Sequence, residues 1–160
     1  MTWDKLERKN TSNLNPNPSV EVDTDGYATF SSTISRDTTE HYHGVASLKC
    51  VTNNTGSGEG WQRTVTNESL AGLEYTFSVY LKGSGTVILS FWDDVITSQS
   101  GSLITLLGTW TRYSLTKTFD VGSIDRRFYV RTNTQQGITF YSDAIMHRRY
   151  PPYWVKESRD

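Results

Sequence analysis

Three large aromatic side chains, Tyr80, Trp92 and Tyr129, fall out of phase with the apolar residues of their own segments. Arg127 and Arg131 share the alternation of Tyr129. Rings that stay outside a core offer flat apolar surfaces to the C–H faces of sugars, and polar side chains beside them can fix the hydroxyl groups. The pattern predicts a glycan-binding surface. The alternative is that these rings pack against a partner subunit or a loop of the same chain.

Two other tryptophans have different expected positions. Trp61 follows the glycine-rich turn at residues 56–60, and we include it in the candidate glycan-binding set, with a core position as the alternative. Trp110 begins a strand-like segment, and we expect it in the core.

Residues that could perform catalysis do not form a recognisable set. Asp93 and Asp94 are adjacent, so on a strand they point to opposite faces and cannot flank one bond. His41 and His43 have no evident third metal ligand, and we expect them to be exposed turn residues. Cys50 lies in a core-facing segment and is expected to be inert. The sequence therefore predicts a protein that is not an enzyme.

The C-terminal end combines basic and aromatic residues with two prolines that hold it extended. An apolar end of this kind is typical of an interaction site. We therefore expect Tyr150, Tyr153 and Trp154 to dock on a partner.

Strand-like alternation places these residues. From residue 73 onward, apolar and polar side chains alternate in segments separated by Gly, Ser and Asn. The chain has 160 residues, with 16 Lys+Arg and 17 Asp+Glu, which suffices for one core and provides no general field for nucleic acid or a membrane. The strand segments are predicted at residues 27–34, 45–51, 61–66, 73–82, 86–92, 113–119, 127–131 and 137–147.

The predicted fold class is all-β, an antiparallel sandwich of about eight strands whose inner faces form the core. The glycine-containing segments at residues 56–60 and 83–85 are expected to be hairpin connections. Residues 1–13 form an N-terminal arm or a short helix, residues 14–147 the domain, and residues 148–160 an extended interaction tail.

Four short motifs carry a family resemblance. Residues 15–21 (NPNPSVE), 43–49 (HGVASLK), 108–114 (GTWTRYS) and 140–144 (FYSDA) occur in the order and spacing of such motifs in calcium-bearing jelly-roll carbohydrate-binding modules. The chain is similar in style to the divergent copies in bacteriophage tail and other virion proteins. It departs from the pattern at Val20, where an aromatic residue is usual, and in the turn at residues 43–45, which is one residue short.

The resemblance implies that the opening segment and the closing strand lie side by side. Glu21, Asp23 and Asp143 could then converge on a structural Ca²⁺, with backbone carbonyls, for example near Lys49, and water completing the six to eight oxygen ligands. The alternative is that Glu21 and Asp23 are solvated loop acids and that Asp143 accepts hydrogen bonds from backbone amides.

The functional expectation is a non-catalytic virion protein, a tail-associated or capsid-decoration module with a host-surface glycan as its possible ligand. Its partners would be other virion structural proteins, including further copies of the chain. The charged start resembles no secretory signal, so synthesis in the host cytoplasm and residence in the virion are expected. The alternatives are a free-standing carbohydrate-binding module of a bacterial glycan-processing system and a purely structural interaction protein.

Overall fold

The protein is built from short strands rich in Thr, Val and aromatic residues. The computed structural model describes residues 13–150 and the backbone of two further short strands. The described residues contain no helix, and therefore no helix long and apolar enough to cross a membrane. The strands are β1 Arg8–Lys9, β2 Tyr27–Phe30, β3 Ser32–Asp37, β4 Ser47–Thr52, β5 Gly60–Thr64, β6 Glu74–Gly83, β7 Thr86–Asp93, β8 Thr97–Ser100, β9 Ile104–Thr105, β10 Thr111–Thr118, β11 Arg126–Arg131, β12 Thr139–Arg149 and β13 Trp154–Val155.

Two antiparallel sheets face each other across one core. The first sheet has the strand order β10-β6-β12-β4-β3, and the second has the order β2-β5-β11-β7-β8, with β9 also paired to β7. The predicted antiparallel β-sandwich is confirmed. The two sheets hold eleven strands of the described chain, more than the eight expected, because β2 and β3 are separate and β8 and β9 were not foreseen.

Every second side chain of the long strands fills the core, as the alternation predicted. Phe77 and Val130 are fully buried, and Leu89 is 2% exposed. Phe128 lies at the centre of a ring cluster, with centroids 4.9 Å from Phe77 and 4.6 Å from Phe91. Close packing of such rings is a main source of stability in a sandwich of this size.

The two glycine-containing connections expected to be hairpins are crossovers, so that prediction is wrong. Residues 83–85 join β6 of the first sheet to β7 of the second, and residues 56–60 lie between β4 and β5, which also belong to different sheets. Gly85 has φ +91°, and a Cβ there would lie 2.6 Å from Ile138 Cγ2. Turn composition marks where the chain reverses but does not reveal which sheet the next strand joins.

The two ends of the chain meet in a short ribbon, because Arg8 and Lys9 pair with Val155 and Trp154. Of the two expected forms of this segment, an arm or a short helix, the pairing excludes a helix at residues 8–9, and it ties the tail backbone to the arm. Tyr150 is 49% exposed and its amide donates to Glu74 O at 2.7 Å. Tyr153 and the side chain of Trp154, two of the three expected partner contacts, lie outside the described residues.

A largely buried cluster of ionisable side chains joins β5, the connection after it and β12. His147 is 1% exposed, and its Nε2 lies 3.2 Å from Glu68 Oε2, while Arg63 Nη2 donates to Glu68 Oε1 at 2.5 Å. Burial lowers the pKa of His147 against the raising effect of Glu68. Burial alone would raise the pKa of Glu68, but His147 and Arg63 lower it overall.

We expect acid to destabilise the fold below about pH 6.5, the ordinary pKa of histidine. The unfolded chain then binds a proton that buried His147 does not, so the free energy of unfolding falls with pH by at most about 1.4 kcal/mol per unit for one proton. The lowered pKa of Glu68 adds a loss in the same direction at lower pH. Urea unfolding measured at pH values from 7.5 to 5 should show a smaller slope of the unfolding free energy against pH for His147→Gln than for the wild type. Exposed His43→Gln should keep the wild-type slope. Equal slopes in all three proteins would contradict this assignment.

Candidate functional site on the second sheet

The outer surface of the second sheet collects the out-of-phase residues of β7 and β11. Register pairs Arg127 with Trp92 and Tyr129 with Ser90, and on the other side of β11 it pairs Tyr129 with Gln62 of β5. Because the inward neighbours Phe91 and Phe128 fill the core, Trp92 and Tyr129 must point outward. We call this surface, defined by Gln62, Trp92, Arg127, Tyr129 and Arg131, the aromatic face.

Arg127 holds Trp92 in place. Its Cζ lies 4.7 Å from the Trp92 ring centroid, which is a cation–π contact. Asp125 accepts from both Nε and Nη2 of Arg127, and Gln62 Oε1 accepts from Nη1 at 3.4 Å. The hydrogen bonds to Asp125 raise the pKa of the guanidinium above its ordinary value. A guanidinium fixed on both sides orients the indole before any ligand arrives.

Arg131 lies on the same strand with fewer contacts. Its Cζ is 5.7 Å from the Tyr129 ring centroid, and its Nη2 is 3.5 Å from Ser100 Oγ. Its Nε is buried without a hydrogen-bond partner. The side chain is half-buried.

A cleft of about 710 Å³ adjoins the aromatic face. It opens at the edge of the sandwich between β8, β9 and β10, and Ser100 belongs both to its lining and to the contacts of Arg131. Apolar and polar groups share the lining, with Leu89, Leu103, Tyr113, Leu115 and Lys117 among them. A chain-like ligand on the aromatic face would therefore have a groove to continue into.

Tyr80 does not belong to this site, so its grouping with Trp92 and Tyr129 is wrong. It lies on the outer surface of the first sheet, where its ring stacks on Tyr42 with centroids 3.7 Å apart. The two hydroxyls are 3.1 Å apart. The alternative, packing against a loop of the same chain, therefore describes Tyr80. Trp110 is also outside the core, half-buried and 6.4 Å from Tyr42, against expectation.

Trp61 is a core residue, so a surface contact with sugar is wrong for it. Its side chain is fully buried, and Nε1 donates to Ser142 Oγ at 2.9 Å. It packs edge-on against Tyr27 and Phe77. Gly60 and Gln62, which precede and follow it in β5, face outward. Trp61 must therefore face the core, because successive residues of a strand point to opposite sides of the sheet.

The three candidate calcium ligands are engaged by N–H donors. Asp143 is buried, and its Oδ2 accepts from the amides of Tyr42 and His43 at 2.7 and 2.8 Å. Both carboxylate oxygens of Glu21 accept from Val45 N. Asp23 Oδ1 accepts from Asp25 N at 3.0 Å.

Backbone carbonyls nearby are also used. Arg36 donates to Val20 O and Glu21 O at 2.6–3.1 Å, which brings a positive charge to the place where an ion would need oxygen ligands. Within the described part of the chain, no three His, Cys, Asp or Glu side chains form a group that could hold a metal. The carboxylates are thus held by N–H donors without an ion in place, and binding of Ca²⁺ stays a prediction. The opening segment and the closing strand do lie side by side, since Ile145 N donates to Pro18 O at 2.7 Å.

The residues considered for catalysis have local structural roles. Asp93 is buried and caps the turn after β7, accepting from Val95 N and Ile96 N at 2.9 and 2.7 Å. Asp94 accepts from two backbone amides across the loop, which lowers its pKa. Burial raises the pKa of Cys50 to about 12, which keeps the thiol protonated and unreactive.

Sequence reasoning missed Gln62 and Tyr42. Gln62 could have been found from alternation with Trp61, had Trp61 been assigned to the core. Tyr42 gave no signal, because it lies in a loop whose path over the first sheet depends on Asp143 accepting from its amide.

Comparisons with known proteins place the fold. No protein-family model and no curated protein matches the chain. The CBM22-1 xylan-binding domain of Paenibacillus barcinonensis Xyn10C superposes with a TM-score of 0.71 at 16% identity, covering 91% of this chain and 97% of that one. The fold is that of a carbohydrate-binding module.

Parts of two larger proteins have a similar fold. The CBM22-1–GH10 modules of Clostridium thermocellum xylanase 10B, complexed with xylohexaose, match at a TM-score of 0.69 and 18% identity over 82% of this chain. The enzymatically active domain of bacteriophage CBA120 tailspike protein 4 matches at 0.66 and 12% identity over 86% of this chain. This chain spans 28% and 21% of the lengths of those two chains.

We expect Asp143→Ala to lower the free energy of unfolding by about 2–3 kcal/mol in chelator-treated protein, because the amides of Tyr42 and His43 lose a buried acceptor. Urea unfolding with and without added calcium checks this. Asp23→Ala, which removes an exposed acid, should change the stability by less than about 0.5 kcal/mol. A loss for Asp143→Ala that appears only with calcium present would mean that the carboxylate acts through the ion.

Proposed function

We propose that this protein is a non-catalytic glycan-binding module that holds its ligand on the aromatic face. The observation that carries the proposal is the outward pair Trp92 and Tyr129 on adjacent strands, flanked by polar side chains. The fold shared with a xylan-binding domain supports the assignment.

The aromatic face has the two properties that sugar binding requires. Partly exposed rings offer apolar area to sugar C–H groups, while Gln62, Arg127 and Arg131 present N–H donors and a carbonyl oxygen for hydroxyls. The contacts of Arg127 with Trp92 and Asp125 order the surface in advance. Less side-chain entropy is then lost on binding.

The charges of the aromatic face favour binding without catalysis. Glycoside hydrolysis requires two carboxyl groups placed on either side of the scissile bond. Among the described residues, the one carboxylate that contacts this face is Asp125, and it is bonded to Arg127. A module of this kind acts by keeping a glycan close to the other domains or proteins to which the module is attached.

A role in a virion is the second candidate, and the similarity to part of a bacteriophage tailspike protein favours it. The host-surface glycan would be the ligand, and other virion proteins or further copies of this chain would be the partners. Repeated copies on a particle would convert weak single-site binding into firm adhesion through effective concentration.

Trp92→Ala should weaken glycan binding at least about tenfold, because it removes the largest apolar contact of the face. The measurement is a glycan array followed by calorimetric titration with the best ligand, in which xylohexaose is included as a probe. Trp110→Ala is the matched control on the first sheet and should bind like wild type. Absence of binding by the wild-type protein to every glycan, or equal binding by Trp92→Ala, would overturn the proposal.

The free-standing module and the virion protein differ in assembly. Mass photometry of the purified chain should show a monomer for a free-standing module and a defined oligomer for a virion subunit that contacts copies of itself. In the purely structural alternative, the oligomer would form through the aromatic face. Trp92→Ala would then dissociate it, while Trp110→Ala would leave it intact.

A further inference from the structure

The aromatic face carries one positive charge that no described carboxylate balances. Arg127 is paired with Asp125, whereas Arg131 forms none of the ion pairs of the described residues. Its polar contact is Ser100 Oγ, a neutral atom at 3.5 Å. The two arginines thus differ in kind, since one positions a ring and the other has binding capacity left.

The neighbours of Arg131 in the sheet do not compensate for its charge. Ile88 stands opposite on β7 and Gly60 on β5, and neither has a charged side chain. A Cβ at Gly60 would lie 2.0 Å from Val130 O, so no larger residue fits beside Arg131 on that strand. A guanidinium that is partly buried without an anion has lost hydration that its present contacts do not replace.

The Nη end of Arg131 makes the case specific, because the Nε is buried and an incoming anion would meet the exposed Nη atoms. Nε and one Nη of arginine form a planar fork that matches the two oxygens of a carboxylate or the oxygens of a sulfate. In Arg127 that fork is filled by Asp125. In Arg131 the Nε is buried without a hydrogen-bond partner. The Tyr129 ring beside it, with its centroid 5.7 Å from Cζ, supplies a surface for the sugar that would carry the acid group.

We propose that the ligand of the aromatic face is an acidic glycan, with a sugar packed on Tyr129 and its carboxylate or sulfate bound by Arg131. The inference rests on the proposed function and names its substrate class. Charge-assisted hydrogen bonds to a partly desolvated fork are stronger than neutral ones, so the acid group should add about tenfold in affinity. Salt should reduce that gain, because the Nη2 end of Arg131 is exposed to solvent.

The test uses pairs of polymers that differ in charge alone. One pair is polygalacturonate and its fully methyl-esterified form, and the other is κ-carrageenan and chemically desulfated κ-carrageenan, which carries no acid group. Affinity electrophoresis or calorimetry at 50 mM and 500 mM NaCl measures binding of wild type, Arg131→Gln and Arg131→Lys. The expected result is a preference of about tenfold for the charged member of at least one pair at low salt. Arg131→Gln should lose that preference, and Arg131→Lys, which keeps the charge without the fork, should retain part of it.

Arg112→Gln is the matched control, since Arg112 lies on the outer surface of the first sheet and bonds to Ser78. It should keep the wild-type preference, and circular dichroism should show that every variant is folded. A preference for the charged member of the first pair identifies a carboxylate as the acid group, and a preference within the second pair identifies a sulfate.

Three outcomes would overturn the inference. Equal binding to the charged and neutral members, or a preference that survives Arg131→Gln, would leave glycan binding standing without acidic specificity. Tighter binding to a single-stranded oligonucleotide than to any polymer would assign Arg131 and the rings to nucleic acid. If none of the four polymers binds while xylohexaose or an array glycan does, the acidic ligand is refuted and the glycan-binding function is not.

Discussion

The pairing register between β7 and β11 is the constraint on which the rest of this protein depends. Phe128 stands opposite Phe91, and both point into the core, so the residues before and after them must point outward. A slip of one residue would place Trp92 and Arg127 in the core and expose the phenylalanines. The free energy gained by burying the ring cluster therefore fixes which residues form the aromatic face as firmly as it fixes the fold. The site and the core are two sides of the same strands.

Charge on that surface is divided between structure and binding. Asp125 neutralises Arg127 and turns it into a support for Trp92, while Arg131 keeps its charge beside Tyr129. Identical residue types four positions apart on one strand thus play different parts. What separates them is the position of a single carboxylate in the loop before β11. The acidic ligand proposed for this surface would meet Arg131, while the pair of Arg127 and Asp125 keeps Trp92 in place.

Buried polar groups in the loops are satisfied mainly by backbone amides. Asp143 receives the amides of Tyr42 and His43, and Glu59 receives those of residues 54–56. These carboxylates hold long connections against the sheets, which is the work that a bound ion performs in other loop-rich domains. The closing strand β12 is fastened on its other side by the opening segment, where Leu14 N donates to His147 O. Stability at the loop ends of the sandwich therefore depends on these carboxylates and on buried His147.

The sequence alone determined the long strands, their inward faces and the outward position of Trp92, Tyr129 and Arg131, although it did not reveal β8 and β9. It could do so because a strand repeats every two residues, so local alternation reports burial directly. It did not determine sheet membership, since glycine turns at residues 56–60 and 83–85 look alike whether they close a hairpin or cross between sheets. Only the tertiary structure separated Tyr80 from Trp92, put Trp61 inside and brought Tyr42 over the first sheet. Those positions follow from contacts between residues far apart in the chain, such as Asp143 with the amides of Tyr42 and His43, and no local pattern encodes them.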